Sequence, residues 1–250
     1  MATEQREIEI GILGRSPMFE GVDPGTLRAM VKALTAECWP EHSIVMEPQK
    51  TITRFYVVLS GRVKITRQNL NNGREVTLFL LGPGDGFNVV SLLDGQPHEV
   101  CAQTLDTVEA LSAPIAQWKD WLELYPALRH AIRKYIYLRL CHLSELACDL
   151  ALHDTMTRLS HLILRYCNDR LTCSDINLIS DLPHEELAHM IGTVRVVVNR
   201  LLAELKREGI IDTHSGRLRV LNIEKLLQKT EQQLYSIPHG SSDPLGASPH

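Results

Sequence analysis

Leu182-Pro-His-Glu-Glu-Leu-Ala-His-Met-Ile-Gly-Thr-Val-Arg-Val-Val-Val-Asn-Arg-Leu-Leu-Ala-Glu-Leu-Lys206 is the stretch on which the reading of this chain turns. Its first half predicts a short helix with Leu187 and Ile191 inward and small Ala188 where a neighbouring helix can come close. Gly192 supplies a turn, since a left-handed backbone is cheap only for glycine. Thr193 is the predicted N-cap of a second helix. There, Val194, Val198, Leu201 and Leu205 recur at helical spacing as a buried stripe, leaving Arg195, Val196, Asn199 and Arg200 outside. Asp212-Thr-His-Ser-Gly216-Arg-Leu-Arg-Val220 then reads as a β-hairpin. An ordinary helical hairpin accounts for the apolar stripe equally well. It does not account for the small residue, the glycine turn, the exposed Val196 and the hairpin together. A winged helix-turn-helix does, with its second helix in a DNA major groove. Arg195, in the first turn, has the geometry to pair with guanine, and Val196 to touch a thymine methyl. Asn199, Arg200 and the cap Thr193 fit phosphate or base contacts.

The rest of the composition is compatible with that reading without advertising it. A chain of 250 residues suffices for roughly one large or two modest domains. With 44% hydrophobic and 22% charged residues it has an ordinary globular composition. No apolar run approaches the ~20 residues of a membrane span. The segment Met1 to Ile10 carries acidic charge and no signal-peptide core, so a cytoplasmic protein is expected. A formal net charge of -4 means that any nucleic-acid footprint must be local. Between Thr193 and Arg219 it is: Arg195, Arg200, Lys206, Arg207, Arg217 and Arg219 face only Glu204, Glu208 and Asp212. The six cysteines (Cys38, Cys101, Cys141, Cys148, Cys167, Cys173) show no CxxC pair and no zinc-finger spacing, so reduced, mostly buried thiols are expected. Cys141 and Cys148 share a helix face, and Cys167 and Cys173 flank a predicted helix end. No nucleophile-base pair, HExxH, P-loop or dinucleotide glycine pattern is present, so neither a catalytic nor a metal-ligating set is singled out.

Upstream, the pattern is that of an α+β protein. Residues 1–114 predict a helical lead-in and a β-roll of many short strands. Phe55 to Ile65 is two β-rich runs broken at Ser60-Gly61, a hairpin signature; Asn71-Asn-Gly73, Gly82-Pro-Gly-Asp85 and Gly95-Gln-Pro97 punctuate further. Residues 115–153 predict a helix from Ile115 to Tyr125 and a long one begun by Pro126. Along it Ile136, Leu140, Leu143, Ala147 and Leu150 are spaced four, three, four, three. So narrow a stripe either packs on its own domain or, the reading favoured here, forms the seam of a homodimer. Residues 154–225 hold the winged helix-turn-helix, preceded by a helix from Thr155 to Asn168 and a short strand at Ile176–Ile179. Residues 226–250, rich in Gly, Pro and Ser, predict a disordered tail.

Over residues 15–223 the chain resembles the CRP/FNR superfamily of transcription regulators. The helix-turn-helix carries the match, with Phe55-Tyr-Val-Val-Leu-Ser-Gly and Gly82-Pro-Gly-Asp-Gly-Phe87. Val90-Ser-Leu-Leu-Asp-Gly95, Val108-Glu-Ala-Leu-Ser-Ala-Pro-Ile115 and Thr193 to Leu202 are similar to its nitrogen-control regulators of the NtcA type. The resemblance implies a cyclic-nucleotide-binding-like β-roll, a long dimerisation helix, and promoter binding as a homodimer near RNA polymerase. Half-sites resembling GTA and TAC are implied too.

The implied effector site is Phe87, Asn88, Val89, Val90, His98 and Arg139, and here the chain departs from the pattern. Val89 stands where the cyclic-nucleotide members have a carboxylate, and His98 and Glu99 stand near the arginine and serine positions. Between Arg74 and Lys119 there is no lysine or arginine at all, so no fixed cation serves a phosphate and cAMP is not expected. Arg139 matches the helix arginine that the nitrogen regulators use for 2-oxoglutarate, but the partner glutamate's position carries Ser144. A structural ion pair is the alternative for Arg139. An FNR-type iron–sulfur cluster is not expected, because only Cys38 precedes residue 100. His98, Cys101 and His142 are candidate haem ligands. The reading is therefore a non-enzymatic DNA-binding regulator with an effector other than cAMP. The alternatives are a scaffold that retains the fold, or a haem- or redox-sensing member.

Overall fold

The computed structural model describes residues 2–48, 53–94, 99–167, 176, 178–214 and 216–231. The lead-in is α1 (Ala2–Gly14), a 3-10 turn (Pro17–Phe19) and α2 (Pro24–Ala33). Asp23 caps α2 by accepting from Gly25 and Thr26 N–H. Then come β1 (Thr35–Trp39), β2 (Ile44–Met46), β3 (Arg54–Ser60), β4 (Val63–Gln68), β5 (Glu75–Leu81), β6 (Gly86–Phe87), α3 (Val89–Asp94), β7 (Cys101–Thr104) and β8 (Val108–Pro114). They form two four-stranded antiparallel sheets, ordered β1-β8-β3-β6 and β2-β7-β4-β5. Val58, Val63, Leu81, Phe87 and Val108 fill the space between the sheets. Phe55, on the other face of the first sheet, packs edge-on against Trp118.

The runs on either side of Ser60-Gly61 are both strands, but they do not form a hairpin with each other. β3 lies in one sheet and β4 in the other. Gly61 (φ 78°) passes so close to Thr107 that a Cβ there would sit 2.4 Å from its carbonyl oxygen. The turn is pinned against backbone and delivers the chain to the opposite sheet. Asn71-Asn-Gly73, with Gly73 at φ 69°, does close a hairpin: β4 and β5 pair from Gln68↔Glu75 to Val63↔Leu81.

Next are α4 (Ile115–Leu124) and α5 (Pro126–Leu152), whose 27 residues span about 40 Å. Leu128, Ala131, Ile132 and Tyr135 bury its first half against the roll. The C-terminal part comprises α6 (Thr155–Arg165), α7 (His184–Met190), α8 (Arg195–Arg207), β9 (Ile211–His214), β10 (Arg217–Val220) and α9 (Ile223–Glu231). Asp154 caps α6 through Thr157 N–H at 2.8 Å.

Four expectations need correction. α6 stops at Arg165 rather than Asn168, with Tyr166 as its C-cap. The strand expected at Ile176–Ile179 reduces to a single bridge between Ile176 and Cys167, and Leu178 begins a turn at φ 60°. Tertiary contact overrides β-propensity there: Leu178 lies over Gly82, and its carbonyl accepts from Arg62 Nη1 at 2.8 Å. The start of the expected tail is helical, because Leu226 in α9 is fully buried and Lys229 pairs with Glu208 at 2.9 Å. Residues 232–250 lie outside the described residues. Cysteines are not uniformly reduced and buried either. Cys167 is disulfide-bonded, while Cys38 and Cys148 are exposed thiols. Cys173 lies outside the described residues.

The C-terminal part is docked on the roll. Its core takes in Leu80 of β5. Arg62 reaches Asp106 at 2.7 Å and Asp181 at 2.6 Å; buried Lys64 reaches Glu75 and Glu186, each at 3.0 Å. Burial works against charge on Lys64, yet the Glu186 and Glu75 hydrogen bonds hold its pKa above the ordinary lysine value. Burial likewise opposes ionisation of Glu186, and its His189 and Lys64 neighbours outweigh it and lower its pKa. The same Glu186, aided by Glu75, raises the pKa of His189 against its partial burial.

A pH window follows from these signs. The Glu186 contribution is complete above about pH 4.5 and is lost as pH falls through the lowered native value. The His189 contribution is complete below about pH 6.5 and is lost as pH rises through the raised native value. Hydrogen exchange of α7 amides should therefore be slowest between these limits. Glu186→Gln, which leaves Lys64 one carboxylate short, should cost about 1–3 kcal/mol in urea unfolding.

Candidate DNA-binding interface and effector cavity

The helix-turn-helix forms as its residue types dictate. Leu187, Ala188 and Ile191 are buried, and Gly192 adopts φ 66°. A Cβ on Gly192 would sit 2.6 Å from Leu150 of α5, so glycine is required there by packing as well as by backbone. Thr193 is not the N-cap of the second helix. Its N–H closes the turn onto the Ala188 carbonyl at 2.9 Å, and Val194 takes the cap position with no side-chain bond. That one-residue shift also takes Val194 off the buried stripe: it is 63% exposed, and the inward face is Val198, Leu201, Leu202 and Leu205.

The expected reading surface is open. Arg195, Asn199 and Arg200 are exposed, and Val196 is 76% exposed. Among the described residues Arg195 and Arg200 make no ion pair, whereas Lys206 is held by Asp212 at 3.0 Å. Asn199 Oδ1 meets His184 Nδ1, tying α8 to the start of α7. Arg217 and Arg219 project from the β9–β10 hairpin, which pairs Arg217↔His214 through Val220↔Ile211. Val194 makes no side-chain cap bond to the first turn of α8, the kind of helix end that can meet a phosphate.

In the roll, a cavity of about 350 Å³ lies between the β-strands, α3 and α5. Phe87, Asn88, Val89, Val90 and Arg139 all line it, so five of the six expected effector residues converge; His98 lies outside the described residues. Among the described residues, Asn88 and Arg139 are the only polar side chains in the lining. Asn88 adopts φ 69° and donates to the Arg54 carbonyl at 2.8 Å. Arg139 forms the structural ion pair: Nη2 bonds Asp85 and the Tyr135 hydroxyl, and the guanidinium stands over the Tyr135 and Phe79 rings at 4.6 and 5.2 Å. Burial pushes the Tyr135 pKa well up, so that hydroxyl stays neutral. Ser144 is elsewhere, on the rim of a second hollow beside α6.

The stripe expected on α5 divides. Ile136, Leu140 and Leu143 form one wall of the cavity, and Leu140 is 65% exposed. Ala147 is exposed, and Leu150 rests on Gly192 of its own chain. His142 is engaged: its Nε2 meets the Leu78 carbonyl at 3.0 Å and its ring stacks on Phe79. Burial, with Arg165 nearby, pushes its pKa down to about 4. Sequence reasoning missed the docking residues Arg62 and Lys64, because nothing local distinguishes them from surface cations.

Comparison with known proteins agrees with this arrangement. Residues 36–125 match the cyclic nucleotide-binding domain family, and residues 157–229 match the Crp-like helix-turn-helix domain. The chain is 28% identical over 220 residues to the CRP-like cAMP-activated global transcriptional regulator of Mycobacterium tuberculosis, covering 87% of this chain and 98% of that one. It is 31% identical over 188 residues to the global nitrogen regulator of Nostoc sp., covering 74% and 84%. Its fold is similar to that of the c-di-GMP responsive global regulator CLP of Xanthomonas campestris, with a TM-score of 0.66 at 20% identity over 80% of this chain and 100% of that one. These relatives are transcription regulators, not enzymes. With sensor fold, helix-turn-helix and relatives in agreement, this chain belongs to the CRP/FNR family of DNA-binding transcription regulators.

Proposed function

We propose that the protein binds a palindromic promoter site as a homodimer, one α8 per half-site, and that a small uncharged effector in the roll cavity sets its activity. In this reading residues 1–114 sense, residues 115–153 link and dimerise, and residues 154–225 bind DNA. It works in the cytoplasm, beside RNA polymerase at the promoter. The observation that carries the DNA reading is the pair Arg195 and Val196, exposed in the first turn of α8 with the guanidinium unpaired among the described residues. Arg195 then reads a guanine and Val196 a neighbouring thymine, while the Arg217 and Arg219 wing and the α8 N–H groups hold phosphate.

Dimerisation is supported by α5. Leu140, two-thirds exposed beside part-buried Ile136 and Leu143, leaves an apolar face that a second α5 would cover. That face is also a wall of the cavity, so an effector and the partner helix would meet on the same side chains.

For the effector, the lining argues against an anion. Among the described residues Arg139 is the one lining cation and is already neutralised by Asp85, so a cyclic phosphate or dicarboxylate would find no free cation among them to offset its desolvation. Responsiveness to cAMP, in the name of the mycobacterial relative, is therefore not carried over. Haem gains no support from His142, whose Nε2 is bonded to Leu78.

Four measurements test this reading. Arg195→Ala should cost about 1–3 kcal/mol per half-site and relax preference at one base in titrations against single-base variants of the palindrome. An equal loss for every variant would make Arg195 a phosphate contact instead. Changing both Leu140 and Leu143 to Glu should give monomers by sedimentation, with weakened DNA binding; a persisting dimer would refute the seam. Calorimetry should give no saturable isotherm with cAMP. The uncharged fluorophore N-phenyl-1-naphthylamine should bind the wild type, and Val100→Trp, which narrows the cavity, should abolish that signal.

A further inference from the structure

Where α5 gives way to α6, two imidazoles converge on one carboxylate oxygen. Asp149 Oδ1 faces His153 Nδ1 at 3.0 Å and His161 Nδ1 at 2.7 Å. The three atoms lie within 4.8 Å of one another, and the two rings stand nearly perpendicular, 74° apart. The second carboxylate oxygen, Oδ2, accepts from Arg165 Nη2 at 3.2 Å. Asp149 is buried, while both histidines stand half-buried on the wall of an open hollow of about 890 Å³.

Helix architecture does not account for this carboxylate. Asp149 sits in the last turn of α5, the negative end of the helix dipole, where a buried anion is disfavoured. Burial opposes its ionisation, yet the His161 and His153 hydrogen bonds hold its pKa below the ordinary carboxylate range. A second cluster of this kind, Glu75, Glu186 and His189, already contains a protein cation, the Lys64 ammonium, at 3.0 Å. At Asp149 the only fixed cation among the described residues, Arg165, bonds the other oxygen, Oδ2. Oδ1 and the two Nδ1 atoms lie together, all within 4.8 Å of one another, on the wall of the hollow.

We propose that Asp149, His153 and His161 bind a divalent first-row transition cation of the zinc, cobalt or nickel kind, with water from the hollow completing its coordination. Two imidazoles and a monodentate carboxylate are the donor set such ions take, and a carboxylate whose other oxygen is held by Arg165 is pre-oriented for it. Ligand atoms around zinc stand about 3.4 Å apart, so the two distances from Asp149 Oδ1, 3.0 and 2.7 Å, need open only by roughly half an ångström. Each ring would carry its proton on Nε2 once Nδ1 is coordinated, so neutral histidines bind without losing a proton. Asp149 and His153 belong to the end of α5 and His161 to α6. The ion would therefore clamp the long helix to the helix-turn-helix part at their junction. A change in the angle between the two would alter metal affinity, and metal would reciprocally bias that angle.

The test uses the full-length protein stripped with a chelator and titrated with Co²⁺ and Zn²⁺ alone. One saturable site per protomer is expected, with Co²⁺ giving ligand-field absorption that Zn²⁺ abolishes. His161→Gln and His153→Gln, which retain a hydrogen bond to Asp149, should each weaken binding at least about 100-fold with unfolding midpoints near wild type. His161→Cys should restore a site and add a thiolate-to-cobalt band, a signature that a merely structural role would not produce. Absence of a saturable site in the folded wild type, or undiminished binding by whichever glutamine variant folds, would overturn the proposal.

Discussion

One carboxylate joins the sensor to the helix that follows it. Asp85 closes its own turn by accepting from Gly82 N–H at 3.0 Å, and with its other oxygen it holds Arg139 and faces the Tyr135 hydroxyl at 3.3 Å. Tyr135 in turn accepts from Gly86 N–H at 3.0 Å. The tip of the roll and the middle of α5 are thereby one polar node inside an apolar wall. Such a node is costly to leave incomplete, so α5 cannot slide along the roll without exposing an unpaired charge.

Fixing α5 at that point defines what its remaining length can do. Before the node it is core; from the node onward Ile136, Leu140 and Leu143 wall the cavity. At its far end Leu150 occupies the space that glycine leaves at position 192. Arg158 ties the junction together, donating to the His153 carbonyl at 2.9 Å and the Ile191 carbonyl at 3.0 Å. α5 thus touches the turn that precedes α8. The Lys64 and Arg62 pairs hold the C-terminal part on the roll.

The helix-turn-helix was legible because its signals are local. Glycine at 192 follows from backbone stereochemistry, and the exposure of Arg195, Val196, Asn199 and Arg200 follows from helical periodicity. What failed there was the cap: Thr193 had the right side chain, but its N–H was claimed by Ala188 first. The Ser60-Gly61 break was legible as a turn and misread as a hairpin, since the sheet a strand joins depends on Thr107, far along the chain. Leu178 has strand propensity, yet the packing of its side chain over Gly82 decides its conformation. Asp149 and His153 look unremarkable on a helix until His161 is folded back beside them.

By itself the sequence determined the order of roll, long helix and winged helix-turn-helix, the exposed face of α8, and the lack of any lysine or arginine between Arg74 and Lys119. Those properties reside in periodicity, turn chemistry and the absence of a residue type, none of which needs a neighbour distant in sequence. Tertiary structure alone decided that Arg139 answers to Asp85 and that, among the described residues, the cavity lining is apolar apart from Arg139 and Asn88. It also decided that Lys64 is buried against Glu186, and that two histidines share one oxygen at the α5–α6 junction. Each of these is a meeting of side chains separated by a loop, a turn or a whole domain, and only the folded chain brings such groups within hydrogen-bond distance.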